Sequence, residues 1–157
     1  MSKLNVDQKS IKLLFSDKKA DFLIPDYQRP YAWGDEEHCQ TLWDDIFSFA
    51  FPDNDYQKFK QDDEYFLGSI VTFKNENGKL EVIDGQQRLT TLMLLLRAFY
   101  AKFESMNDIE TKRTREMISQ CIWKTNEFGE ADLDILKINS EVATDIENKS
   151  PPMVSSP

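Results

Sequence analysis

One ten-residue segment, VIDGQQRLTT from residue 82 to residue 91, limits what this chain can fold into more than any other feature. Its β-branched beginning predicts the end of a strand, Gly85 predicts a tight turn, and apolar residues at spacings of three and four predict a helix from Gln87 to about Phe103. The predicted buried face of that helix comprises Leu89, Leu92, Met93, Leu96, Phe99, Tyr100 and Phe103. A strand that leads directly into a long buried helix indicates a domain of mixed α and β structure.

The same turn has the features of a site for phosphate. A helix N-terminus offers backbone N–H groups that lack intrahelical acceptors, together with the positive end of the helix dipole. Gly85 allows the backbone to approach a phosphate closely, and Arg88 can donate two hydrogen bonds to phosphate oxygens. Thr90 and Thr91 add hydroxyl groups close to the predicted helix start. The alternative is purely structural: Asp84 caps the helix, and Arg88 forms a salt bridge with an acidic neighbour.

A second segment, IPDYQRPYAW from residue 24 to residue 33, combines three aromatic side chains with an arginine, an amide and two prolines. Proline restricts the backbone, so such a loop loses little conformational entropy when it binds a ligand. Aromatic faces stack on bases, and the side chains of Gln28 and Arg29 are suited to base edges or phosphates. In the alternative interpretation, Tyr31 and Trp33 pack into the core and Arg29 pairs with Asp26 or Asp84.

The remaining elements are predicted from hydrophobic periodicity and from turn residues. Helices are predicted at Val6–Phe15 (with Asn5 or Asp7 as its cap), at about residues 35–50 and at Ile109–Trp123, and strands at Phe22–Ile24, Tyr65–Phe73, Lys79–Ile83 and Leu133–Ile138. The strand at Tyr65–Phe73 is expected to be buried and to form a hairpin with the next strand through the turn at residues 75–78. Met117 is expected to face inward, and Ser140 is expected to cap a last helix.

Charge and composition exclude several classes of function. The net charge of −9 argues against non-specific coating of nucleic acid by the whole surface. Much of the acidity lies in residues 35–64, where ten acidic and two basic residues give a local net charge of −8. The single histidine, His38, excludes a zinc site with two histidines from this chain. Cys39 and Cys121 lie in apolar helical patterns, which predicts buried reduced thiols in a cytoplasmic protein.

Three blocks of the sequence, taken in order, resemble a known family. They are PDYQRPYAW at residues 25–33, LGSI at residues 67–70 and IDGQQRLTT at residues 83–91. In this order they are similar to the N-terminal domain of GmrSD-type, modification-dependent restriction proteins, over about residues 5–140. The resemblance implies an α+β domain with the ParB/sulfiredoxin-like fold, in which a small mixed sheet packs with several helices.

The resemblance also implies an activity. Asp84, Gly85 and Arg88 match the Asp-Gly-x-x-Arg box shared with ParB-like nucleotide hydrolases, which implies binding and hydrolysis of a nucleoside triphosphate with Mg²⁺. Catalytic roles are expected for Asp84, Arg88 and Arg29, and Asp84 or Glu81 is expected to hold the metal or to orient water. The residues implied to bind the nucleotide are Gly85, Gln86, Gln87, Arg88, Thr90 and Thr91. Those implied to sense modified DNA are Tyr27, Gln28, Arg29, Tyr31 and Trp33.

The resemblance has consequences for domain organisation and partners. Residues 1–140 are expected to form the nucleotide-binding domain, and residues 141–157 the start of a truncated following region with a largely disordered tail. Full-length relatives carry a C-terminal His-Asn-His nuclease domain that is absent here, so we expect DNA to be bound through the full-length protein and no nuclease activity from this chain alone. The implied role is that of a cytoplasmic sensor in bacterial phage defence, with no membrane partner. A non-catalytic module that binds DNA or phosphate is the alternative.

Overall fold

A computed structural model describes residues 4–29, 31–33 and 35–140, except for the side chains of Asp35, Glu36 and Ser140. In this part of the chain, helices pack with a small mixed sheet, which confirms the predicted α+β class. The helices are α1 (Ile11–Ser16), α2 (Gln40–Ala50), α3 (Gln86–Phe103) and α4 (Ile109–Ile122). The strands are β1 (Phe22–Ile24), β2 (Val71–Lys74), β3 (Leu80–Asp84), β4 (Trp123–Thr125), β5 (Ala131–Leu136) and β6 (Ile138–Ser140).

The main sheet has the strand order β2-β3-β1-β6. β1 is parallel to both of its neighbours, and Phe22 lies opposite Leu80 of β3 and opposite Ile138 of β6. β2 is antiparallel to β3, which confirms the predicted hairpin. β4 and β5 form a separate antiparallel pair. β3 is therefore one of the two central strands, and its carboxyl end leads directly into α3.

One buried cluster joins α1, the central strands, α3 and α4. Its members are Phe15, Ala20, Phe22, Val82, Leu89, Leu92, Met93, Cys121, Ile122 and Trp123. The first three inward residues predicted for α3 are all in this cluster, and the remaining four lie at intermediate exposure. Full burial of each large apolar side chain stabilises a fold by roughly 1.5–3 kcal/mol. The α3 helix is thus anchored by its first half, next to the predicted phosphate site.

Several predicted helix boundaries are wrong. α1 begins at Ile11 instead of Val6, because the N-cap is Ser10, whose Oγ accepts the Leu13 N–H at 3.2 Å. A π-helical turn at Asp35–Cys39 precedes α2. Trp123, predicted to end α4, begins β4 instead. Met117, predicted to face inward, is exposed.

The predicted buried strand at Tyr65–Phe73 is wrong in both extent and burial. β2 begins only at Val71, and all four of its residues are exposed, because β2 is the edge strand of the sheet. The backbone before it cannot continue the strand, since Gly68 has φ +109°, far from extended geometry. The residues of the second sequence block therefore form an irregular segment that passes over the β3–α3 turn.

The predicted strand at Leu133–Ile138 is divided by Lys137, which is fully buried. The Lys137 Nζ donates hydrogen bonds to the carbonyl oxygens of Phe15 at 2.6 Å, Gln120 at 2.7 Å and Asp17 at 3.3 Å. Burial lowers the pKa of Lys137, and burial raises the pKa of the neighbouring Cys121 thiol. A lysine thus occupies the core between two strands, at a position where the sequence predicted one continuous strand.

Three further predictions concern exposure and the chain's end. Cys39 and Cys121 are both free thiols, but only Cys121 is buried, whereas Cys39 is half-buried. Within the residues that the structure describes, no helix is long and apolar enough to cross a membrane. Ser140 is the last residue of β6, and the helix and the tail predicted after it lie outside the described residues.

Candidate phosphate-binding site

The centre of the candidate site is the turn between β3 and α3. Gly85 is the N-cap of α3 and has φ +90°, a left-handed conformation that residues with side chains rarely adopt. A Cβ atom at Gly85 would lie 3.0 Å from the Ser69 carbonyl oxygen and 3.2 Å from the Ile70 side chain. The sequence needs glycine here both for the backbone conformation and for the close packing of residues 69–70.

The first turn of α3 has donors available for an anion. The first intrahelical hydrogen bond runs from the Leu89 N–H to the Gly85 oxygen at 2.9 Å, and Gly85 provides no side-chain cap. Among the described residues, the N–H groups of Gln86 and Arg88 have no acceptor. Such N–H groups carry the positive end of the helix dipole, which favours a negatively charged ligand.

Arg88 extends from this turn over the second sequence block. Its Nη1 donates a hydrogen bond to the Ser69 carbonyl oxygen at 3.0 Å. The guanidinium lies so close to Gly68 that a Cβ atom there would come within 2.5 Å of Nη1. The carbonyl contact orients the guanidinium, and the other N–H donors of the five that arginine carries remain for a ligand.

The loop of residues 26–33 packs against the same turn through three hydrogen-bonding groups. The Gln28 side-chain amide donates to the carbonyl oxygens of Val82 at 3.2 Å and Ile83 at 3.0 Å, at the end of β3. The Ala32 N–H donates to Gln87 Oε1 at 2.8 Å. The Tyr31 hydroxyl lies 2.9 Å from Thr91 Oγ1. The loop therefore follows α3 for its first two turns, as expected if the two segments share one ligand.

The other predicted site residues are exposed or partly buried. Asp84 is exposed at the end of β3, immediately before the glycine turn, and Thr90 is partly buried in α3. Tyr27 and Arg29 are exposed on the loop, and within the described residues no hydrogen bond or salt bridge fixes Arg29. Trp33 is half-buried and stacks on His38, with ring centroids 5.4 Å apart. Gln28 is thus tied to backbone, whereas Tyr27 and Arg29 face solvent.

The acidic residues near the turn fit a magnesium site that is formed jointly with the phosphates of a nucleotide. Within the described residues, no group of three or more His, Cys, Asp or Glu side chains is positioned to hold a metal ion. Mg²⁺ is, however, often held by one or two carboxylates together with the phosphates of a nucleotide. Asp84 can supply one such carboxylate. Glu81 is engaged elsewhere, because its Oε1 accepts a hydrogen bond from Asn75 Nδ2 at 3.1 Å.

Sequence reasoning gave no role to the second block, although that block completes the site. Ser69 contributes a backbone carbonyl to Arg88, and Gly68 leaves the space that the guanidinium fills. A backbone acceptor carries no side-chain signature in a sequence. The only signal was the glycine itself, because a glycine inside an apparent strand often marks a close approach of another group.

The family model described as the GmrSD restriction endonuclease N-terminal domain matches residues 11–152 of the chain. The chain belongs to this family. The match spans all three blocks that meet at the turn, confirms the resemblance seen in the sequence, and makes the chain part of a restriction-system protein. The GmrSD match also continues past residue 140, where the sequence analysis placed the domain boundary. No curated protein matches the chain.

Proposed function

We propose that this GmrSD N-terminal domain binds a nucleoside triphosphate at the β3–α3 turn, hydrolyses it and acts as the sensor of a modification-dependent restriction protein. The observation that carries the proposal is the convergence at one turn of open N–H donors, the Arg88 guanidinium and the loop of residues 26–33. Each of these groups suits phosphate, and the Asp-Gly-x-x-Arg box implied by the family resemblance spans the same turn.

The binding step uses fixed groups of this chain. The N–H groups of Gln86 and Arg88 point out of the helix end, and the contact of Arg88 with Ser69 holds its guanidinium beside them. Arg29 is exposed on the loop and supplies a second positive charge that can turn toward the ligand. Because the α3 N–H groups and the Arg88 guanidinium are held before the ligand arrives, little ordering entropy is lost at these donors on binding.

Hydrolysis requires positioning more than covalent chemistry from the protein. A water oxygen forms a bond to the terminal phosphorus while the bond to the bridging oxygen breaks, which yields a nucleoside diphosphate and inorganic phosphate. Magnesium, when bound with the nucleotide, neutralises charge on the phosphate oxygens. Asp84 is the carboxylate that we assign to the metal or to the water. Glu81, on the same strand, is not assigned this role because its Oε1 accepts a hydrogen bond from Asn75 Nδ2.

Sensing of modified DNA is assigned to the exposed half of the loop. Tyr27 and Arg29 face solvent, so a base or a phosphate of DNA can reach them. Gln28 and Tyr31 connect the loop to β3 and α3, which gives them a coupling role between bound DNA and bound nucleotide.

Nucleotide binding and turnover by purified protein test this proposal. Arg88→Ala is expected to weaken triphosphate affinity by about 1.5–3 kcal/mol, the usual contribution of a hydrogen bond to a charged group, or roughly 10- to 150-fold. Arg113→Ala, at an exposed position on α4, is the matched control and is expected to change nothing. Calorimetry measures binding, and release of phosphate with and without Mg²⁺ measures turnover.

The outcomes separate the two candidate functions. Turnover that depends on Mg²⁺ and is lost in Arg88→Ala supports a hydrolase. Binding that weakens in Arg88→Ala without any turnover identifies the alternative, a non-catalytic phosphate-binding module. Equal affinity of the wild-type protein and Arg88→Ala for triphosphate contradicts a site at this turn.

A further inference from the structure

A cleft of about 430 Å³ lies between α2 and α3, beside the loop that contacts the β3–α3 turn. Tyr31, Trp43, Thr91 and Leu94 are among its lining residues. Its volume is within the range of small-molecule sites, roughly 300–1,000 Å³. We propose that this cleft holds the base of the nucleoside triphosphate whose phosphates bind at the turn, an inference that rests on the proposed function.

The lining of the cleft suits a flat, uncharged ring. Tyr31 and Trp43 contribute aromatic surfaces, and the side chains of α3 that line the cleft are aliphatic apart from Thr91. Among the side chains that the structure describes, none of those lining the cleft is charged. The polar groups of the lining bond to neighbours within the protein: the Tyr31 hydroxyl lies 2.9 Å from Thr91 Oγ1 and 3.4 Å from Cys39 Sγ, and the Gln40 amide donates to Asp44 Oδ1. The aromatic and aliphatic surfaces are therefore the part of the lining that is suited to a base. Stacking on aromatic side chains binds every base, because each has a π face.

Electrostatics orients the ligand with its base toward α2. Residues 35–64, which include α2, carry a local net charge of −8, so phosphate groups are repelled from that side. The open end of α3 and the Arg88 guanidinium attract phosphate groups on the other side. A nucleotide is neutral at its base and negative at its phosphates, and its two ends therefore match the two ends of this surface.

The distance between the two subsites fits a single ligand. Thr91 lies five residues after Gln86, which is about 7.5 Å along a helix axis. The ribose and first phosphate of a nucleotide span a comparable length. The loop follows α3 over the same interval, since Ala32 contacts Gln87 near the turn and Tyr31 contacts Thr91 beside the cleft.

The test compares ligands with and without a base. Binding of ATP, GTP, CTP and UTP is measured beside inorganic tripolyphosphate, all with Mg²⁺. Leu94→Phe fills the cleft from a position that is 55% exposed, so it removes no core contact. We expect it to weaken the best nucleotide about tenfold or more, since base stacking is lost, and to leave tripolyphosphate within about twofold. Ile109→Phe, at an exposed position outside the cleft, is the control for added ring size.

A second variant of the cleft tests the inference independently, in case Leu94→Phe does not fold. Trp43→Leu removes the stacking surface but keeps an apolar residue, and it is expected to show the same selective loss of nucleotide affinity. Arg88→Ala is expected to weaken both classes of ligand equally. Circular dichroism melts of each variant show that the chain is folded under the conditions of binding.

Four results overturn the inference. Equal affinity of wild-type protein for tripolyphosphate and every nucleotide shows that the base is not bound. Unchanged nucleotide affinity in both cleft variants places the base elsewhere. An effect of the cleft variants on a single-stranded oligonucleotide alone assigns the cleft to a DNA base. If neither tripolyphosphate nor any nucleotide binds, the proposed function is wrong as well. The first three results contradict only the inference about the base.

Discussion

Two regions of this domain differ in whether the polar groups at their helix ends are hydrogen-bonded. At the C-terminal ends of α1 and α4, the carbonyl oxygens of Phe15 and Gln120 accept hydrogen bonds from the buried Lys137 Nζ at 2.6 Å and 2.7 Å. At the N-terminal end of α3, Gly85 offers no side-chain cap, and the N–H groups of Gln86 and Arg88 have no acceptor among the described residues. We call the first region closed, because the Lys137 ammonium group bonds to its carbonyl oxygens. We call the second region open, because its N–H donors are available to a ligand.

The difference indicates which region is structural and which is functional. Helix carbonyl ends carry partial negative charge, and a buried ammonium group compensates it without any ligand. The α3 end carries partial positive charge, and its N-cap, Gly85, has no side chain to cap it. The chain therefore completes its internal contacts where they hold the core together. It leaves the donors of α3 open at the turn where three separate segments, the loop of residues 26–33, residues 67–70 and α3, come together.

The largest effect is expected from breaking the closed region. Lys137→Met keeps the length of the side chain but leaves buried carbonyl oxygens without their donor, at about 1–3 kcal/mol for each. We expect the free energy of unfolding to fall by about 3 kcal/mol in urea titrations. Lys112→Met, at an exposed position on α4, is the control and is expected to change stability by less than about 0.5 kcal/mol. A loss below about 1 kcal/mol in Lys137→Met contradicts the role of an internal clamp.

The next effect concerns the turn that keeps the α3 end open. Gly85→Ala forces a side chain into a left-handed conformation and against Ser69, and we expect it to destabilise the fold by about 2 kcal/mol. Gly78→Ala is the matched control, because Gly78 has φ +79° but no atom within 4 Å of an added Cβ. It is expected to cost about 1 kcal/mol, from the backbone alone. Thermal and urea unfolding measure both, and equal losses show that packing against residues 69–70 does not matter.

A smaller effect is expected from the contact between the loop and β3. Gln28→Ala removes the amide that bonds to the Val82 and Ile83 carbonyl oxygens, and we expect a loss of about 1 kcal/mol in stability. Arg29→Ala, one residue away and exposed, is expected to cost less than about 0.5 kcal/mol. If the two variants are equally stable, Gln28 does not hold the loop, and its role lies with DNA alone.

The secondary-structure elements around the site could be predicted from the sequence. The strand at Phe22–Ile24, the hairpin and the helix beginning beside Gly85 all follow from periodicity and turn residues, and the structure confirms them. The loop of residues 26–33 and the start of α3 were both predicted to carry groups that suit phosphate, and the structure brings them together. The strand, the hairpin and the helix depend on residues close together in the chain, where spacing and propensity act directly.

The missed features depend on residues far apart in the chain. The Arg88 contact with Ser69 spans 19 positions and ends on a backbone carbonyl, which no side-chain pattern reveals. The Lys137 contact with Phe15 spans 122 positions, and a lysine in a strand pattern ordinarily indicates an exposed face. The late start of β2 at Val71 has the same origin, because Gly68, with φ +109°, lies against the Arg88 guanidinium.

The smallest expected effect is a pH dependence within the closed region. Burial raises the pKa of the Cys121 thiol above its ordinary value of 9.0, while the Lys137 ammonium group partly opposes that shift. Above pH 9.0 the unfolded chain loses this proton before the folded chain does, so the folded state binds more protons and its stability falls as pH rises.

Cys121→Ala removes that contribution. We therefore expect the difference in free energy of unfolding between the wild-type protein and Cys121→Ala to be constant from pH about 7 to 8 and to shrink at higher pH, by less than about 1.4 kcal/mol per pH unit. Urea titrations in reducing buffer from pH about 7 to 10 measure it, and a difference that stays constant across this range shows that the thiol is not held in its protonated form by the core beside Lys137.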